Sequence, residues 1–197
     1  MAAPIVNCAA IVASFIPTCD ALTSVGGVQP FVYFAHRSDL IFTTAADGTV
    51  TGVALTATGK LAKGLGRKFQ NSGAYEINRS AQGKARFKQT FIDRIYHDVQ
   101  SERNTIKQLM LAEDLVFITP NNSLKFEVYG KTLGLTASSG KGGTGTQLVD
   151  DNTFLFTFEG EEPDMPAVFN SVVLTPGVDK QGDFLANVTY LDTLVNA

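Results

Sequence analysis

Hydrophobic and polar residues alternate along much of the chain. Between Ala85 and Val99 the odd positions carry Phe87, Phe91, Ile95 and Val99, and the even positions carry Arg86, Lys88, Thr90, Ile92, Arg94 and Tyr96. A period of two over such a span predicts a long strand with one buried face and one wet, basic face. Leu124 to Tyr129 repeats the pattern, with Leu124, Phe126 and Val128 opposite Lys125, Glu127 and Tyr129. Thr153 to Glu159 does so with Phe154, Phe156 and Phe158. Phe31 to Ala35 and Leu40 to Thr44 read as a first strand pair, and Val50 to Thr56 follows an Asp47-Gly48 turn, a hairpin signal. Leu115 to Thr119, Val168 to Leu174 and Phe184 to Leu191 complete the predicted strands.

One segment keeps a helical period instead. From Ser101 to Glu113, Ile106, Leu109 and Met110 form an apolar stripe, Ser101 can cap the N-terminus, and Glu102 sits in the first turn. The pattern therefore predicts a mainly β, α+β fold: an antiparallel β-sandwich or barrel with one flanking helix. Two stretches carry neither period. Ala57 to Lys84 is rich in Gly, Lys, Arg, Ser and Asn, and Thr136 to Gln147 is almost entirely Gly, Ser and Thr. Both read as long extended loops, the first a basic arm. Residues 1–27 are expected to form an N-terminal extension and 28–197 a single domain.

Composition supports the sheet reading. Of 197 residues, 44% are hydrophobic and 18% charged, with 14 Phe, 18 Gly and no Trp, so a core can form and sheets are favoured. The net charge of −3 and a pI near 5.3 exclude a globally basic nucleic-acid coat. The apolar run from Ala2 to Ile16 lacks a basic flank and is broken by Asn7 and Pro17, so it reads as neither a signal peptide nor a membrane span. A soluble protein made in the cytoplasm, with no membrane insertion, is expected. Cys8 and Cys19 could form a disulfide or half a metal site, or serve as small buried hydrophobes, which a cytosolic origin favours.

Candidate chemistry is sparse. Ser139-Gly140-Lys141-Gly142 resembles a phosphate loop only in composition, since Gly rather than Ser or Thr follows Lys141. His36 and His97 are the two candidate general bases, and neither has a recognisable nucleophile motif beside it. A hydrolase using the acidic cluster Glu159 to Glu162 is the enzymatic alternative, with solvated loops the simpler account. The favoured expectation is a protein without catalysis, cofactor or metal.

Charge is strongly segregated. From Lys60 to Arg94 nine basic residues (Lys60, Lys63, Arg67, Lys68, Arg79, Lys84, Arg86, Lys88 and Arg94) face only Glu76 and Asp93, a net +7. From Asp150 onward nine acids (Asp150, Asp151, Glu159, Glu161, Glu162, Asp164, Asp179, Asp183 and Asp192) face only Lys180, a net −8. Three readings compete: a nucleic-acid patch, ordinary solvated faces, and self-complementarity, in which the basic arm of one subunit meets an acidic surface on the next. Self-complementarity gives a heterologous contact that closes into rings or propagates.

The order of these segments resembles that of a known family. The basic segment, the strand Arg86 to Tyr96, the single helix, the strand pair from Leu115 to Tyr129, the Gly-rich loop and the run Phe154 to Glu162 are together similar to the tail tube proteins of tailed bacteriophages. The likeness spans roughly residues 28 to 175. The N-terminal part, with Cys19-Asp20 and Gly26-Gly27-Val28, is similar in style to virion proteins of phages infecting Bacteroidetes. The resemblance implies a virion structural protein whose copies join edge to edge into rings, hexameric in that family. The rings would stack into a tube that conducts DNA without binding it specifically. Partners would be the chain itself and other tail proteins, after assembly in the host bacterial cytoplasm. On that basis Lys60, Lys63, Arg67, Lys68, Arg79 and Lys84 would make inter-subunit contacts. Asp150, Asp151, Glu159, Glu161, Glu162 and Asp164 would face either that arm or the lumen. A capsid-decorating or baseplate/connector β-domain is the alternative.

Overall fold

The computed structural model describes residues 27–66, 70–79, 85–96, 99–143, 153–171 and 180–196. Its strands are β1 (Phe31–His36), β2 (Leu40–Thr44), β3 (Val50–Leu55), β4 (Ala62–Leu65), β5 (Ser72–Arg79), β6 (Ala85–Tyr96), β7 (Leu115–Pro120), β8 (Phe126–Tyr129), β9 (Thr136–Gly143), β10 (Thr153–Glu162) and β11 (Ala167–Phe169). Its helices are α1 (Gln100–Leu111) and α2 (Lys180–Val195). The strands form a seven-stranded sheet, β2-β3-β11-β8-β7-β1-β4, and a four-stranded sheet, β5-β6-β10-β9. The sheets form a curled half-barrel, so the mainly β, α+β architecture stands.

The larger sheet is covered on both faces. Every residue of β7 is buried, as a central strand sandwiched between two layers requires. On one face Val32, Phe117 and Tyr129 meet Phe91, Phe156 and Phe158 of the smaller sheet, with Ile106 and Leu109 of α1 closing the side. The Phe117 ring lies 4.7 Å from both Phe91 and Phe158, so one aromatic column joins the two sheets. On the other face Tyr33, Val53, Val116, Ile118, Phe126 and Phe169 pack under α2, which contributes Leu191, Phe184, Val188 and Leu194.

Several expectations change. The segment Phe184 to Leu191, predicted as a strand, lies inside α2, so two helices flank the sheets rather than one. Phe184, Val188, Leu191 and Val195 recur at helical spacing and all face the core, a period that a local reading for alternation misses. Tyr190 anchors this helix: its hydroxyl donates to Val53 O at 2.6 Å and accepts the Val53 N–H at 3.2 Å. β1 and β2 do not pair with each other. β2 pairs with β3 across the Asp47-Gly48 turn, and β1 lies between β4 and β7. Leu124 is outside β8, in a turn at φ 64°. At the start of α1 the Val99 N–H donates to Glu102 Oε2 at 3.1 Å, and Ser101 lies inside the helix rather than capping it.

The two supposed loops are largely strands. β4 and β5 take up twelve of the twenty described residues between Ala57 and Lys84, and β9 occupies Thr136–Gly143. Their glycines are packing devices rather than hinges. A Cβ at Gly73 would collide with the Tyr129 hydroxyl, and one at Gly140 or Gly142 would stand 2.5 Å from the Phe154 ring.

Truncating the column is expected to be costly. Phe117→Ala should lower the unfolding free energy by about 3–5 kcal/mol in urea titrations. Ile41→Ala, at a side chain 54% exposed, should change it by about 0.5 kcal/mol or less.

Candidate assembly interface

The four-stranded sheet sets the geometry. β6 and β10 form its centre through ten antiparallel pairs, from Thr153↔Tyr96 to Glu162↔Phe87. β5 and β9 are its edges, eight residues each, and all but one residue of each is exposed. Each edge strand pairs on one side only among the described residues, leaving a row of backbone donors and acceptors on the other. Alternation along four antiparallel strands makes β5 and β9 run in opposite directions.

Facing residues follow from the register. Tyr75 and Ile77 of β5 lie on the core side with Gln89 and Phe87, yet they are 53% and 62% exposed. On β9 the same side carries Gly140 and Gly142, with the Phe154 ring lying over both. The outer side carries Glu76, Arg86, Lys88, Arg94, Lys141, Glu159 and Glu161. That face was expected to be basic. It mixes both signs because β10 and β5 lay their carboxylates beside the cations of β6.

The charged segments meet within one subunit. Lys63 Nζ lies 2.7 Å from Asp192 Oδ1 and over the Phe31 and Tyr33 rings. Burial pushes the Asp192 carboxyl up, but hydrogen bonds from Lys63 and Tyr33 outweigh it and hold it below the usual carboxylate range. Lys88 Nζ lies 3.2 Å from Glu159 Oε1, and Asn78 Nδ2 donates to Glu161 Oε1 at 2.6 Å. Lys63 and Glu159 therefore each have a partner within the subunit.

The other predicted residues divide. Glu162 is 1% exposed and accepts the backbone N–H groups of Thr132, Leu133 and Gly134, so it organises the turn before β9 rather than facing a partner or a lumen. Gln89 completes that buried polar set, accepting the Gly130 N–H and donating to Asp164 O, while Asp164 itself is exposed. Lys60 and Arg79 are exposed, Lys60 beside Asp39 and Arg79 at the tip of β5. Arg67, Lys68, Lys84, Asp150 and Asp151 lie outside the described residues, as do Cys8, Cys19 and His97. His36 Nδ1 lies 2.6 Å from Asp114 Oδ1 at the surface. Among the described residues no three His, Cys, Asp or Glu side chains form a set that could hold a metal ion. No helix among them is long and apolar enough to cross a membrane.

Sequence reasoning missed Tyr75, Ile77, Gly140, Gly142 and Asp93. A signal existed for the first two, since Gly73, Tyr75 and Ile77 alternate with Ala74, Glu76 and Asn78. Asp93 sits on the buried side of β6, and burial pushes its carboxyl up to about 7 against the pull of the Arg94 N–H and the Asn71 side chain. Comparison of the chain with protein-family models, with curated proteins and with solved structures gives no match.

Asp93 makes stability fall as pH rises. Its folded pKa exceeds the unfolded value of about 3.9, so the folded state holds a proton that the unfolded state releases between those values. The resulting stability is present at acid pH and lost as pH rises to about 7. Asp93→Asn should therefore raise the melting temperature at pH 8 and flatten its decline between pH 5 and 8. An unchanged profile in thermal unfolding would remove Asp93 as the cause.

Proposed function

We propose that this chain is a virion structural protein that self-assembles into stacked rings forming a phage tail tube, the conduit for DNA ejection. The observation that supports the reading is the four-stranded sheet whose two edges are open among the described residues. Because the strand number is even, β9 of one copy meets β5 of the next in antiparallel sense under a simple rotation. A sheet continued this way closes into a barrel of strands without a leftover edge. Each edge is eight residues long, enough for a ladder of several pairs between copies.

In this reading backbone pairing between the two edges carries the assembly. An exposed edge of this length is an aggregation hazard for a lone monomer, and ring closure removes it. The mixed outer face of the sheet carries no cluster of one sign, which suits passage of DNA without capture. Resemblance to tail tube proteins suggests six copies per ring, contact with other tail proteins, and assembly in a bacterial host's cytoplasm. No catalysis or cofactor enters this role.

Negative-stain images of concentrated protein should show rings or tubes with a central hole. Adjacent residues on an edge strand send their N–H groups to opposite sides, so Ala74→Pro and Tyr75→Pro separate folding from assembly. One of the two should remain a folded monomer that forms no rings. A strictly monomeric wild-type protein, or rings from both variants, would sink the edge-pairing reading.

A further inference from the structure

We infer a specific register for the contact between copies: Ser139–Gly143 of one subunit lies antiparallel to Ala74–Asn78 of the next, with Lys141 directly opposite Glu76. This inference rests on the ring reading above and adds the residues that set it.

Two independent features of the edges select the same alignment. The first is charge. Lys141 shares the outer side with Leu155 and Arg94, and Glu76 shares it with Lys88 and Glu161. Both are exposed. Opposite charges directly across a strand pair attract, and like charges repel.

The second feature is shape, on the other side of the sheet. With Lys141 opposite Glu76, Tyr75 falls opposite Gly142 and Ile77 opposite Gly140. These glycines have no side chain to offer, and the Phe154 ring occupies the space over both. Tyr75 and Ile77 are large, apolar and more than half exposed. Large side chains placed across from glycine on an aromatic floor gain contact that neither subunit provides alone. The glycines cannot be enlarged without displacing Phe154, so the slot is built into the subunit before any partner arrives.

Neighbouring registers lose one or both features. A one-residue slip carries Tyr75 and Ile77 to the face of Lys141. A two-residue slip one way sets Ile77 against Ser138, at the β9 bulge, and Lys141 against Ala74. The opposite slip sets Tyr75 beyond the end of β9 and Lys141 against Asn78.

Thiol pairing reads the register directly. In a Cys8→Ala, Cys19→Ala background, Glu76→Cys with Lys141→Cys should oxidise to a ladder of covalent oligomers ending at the ring size. Glu76→Cys with Ser139→Cys, or with Gly143→Cys, should give little. Glu76→Lys or Lys141→Glu alone should raise the concentration needed for rings by about threefold or more, and the two together should restore it. Rings that cross-link through a control pair, or through none, overturn the register and leave the ring reading standing. Covalent dimers from Glu76→Cys alone would show β5 pairing with β5 and overturn both. Protein that stays monomeric under every condition also overturns both.

Discussion

The aromatic column at Phe117 is the constraint on which the architecture depends. Phe91 and Phe158 meet it at 4.7 Å from the central strands of the smaller sheet, so the two sheets are clamped at their middles. β6 and β10 are held by this clamp and by ten pairs with each other. β5 and β9 touch the core at one point each, Gly73 beside Tyr129 and Ala137 beside the aromatic cluster. They project past the covered area, and their exposure follows from where the column stands.

Polar groups reinforce that arrangement from within. Glu162 satisfies three successive backbone N–H groups of the turn before β9, where the buried Gly134 lies against Asp114. Asp192 ties Tyr33 and Lys63 to α2, binding the C-terminal helix to β1 and β4. Opposite charges far apart in sequence are thus used inside one subunit. Among the described residues, the outer backbone of β5 and β9 and the side chains that alternate along it are open to a neighbour.

The proposed ring follows from those edges. An even-stranded antiparallel sheet is self-complementary at its edges in direction. Small residues crowd one edge and large exposed ones the other, an asymmetry suited to a head-to-tail contact rather than a twofold dimer.

Local patterning made much of this legible. The alternation through Phe87, Phe91 and Ile95 located β6, the Asp47-Gly48 pair located the β2–β3 hairpin, and Ile106, Leu109 and Met110 located α1, because each signal is confined to neighbours along the chain. β5 and β9 were hidden because an edge strand needs only backbone pairing and buries almost nothing, so its residues carry little hydrophobic signature. Gly140 and Gly142 looked like flexible loop until Phe154, from another strand, was seen to occupy their space. α2 was misread because the same apolar residues suit a strand locally, and only the curved sheet beneath selects the helical period. The sequence by itself determined which segments could be buried. The tertiary structure decided which edges were left open and which charges were already paired, since both depend on contacts between residues distant in the chain.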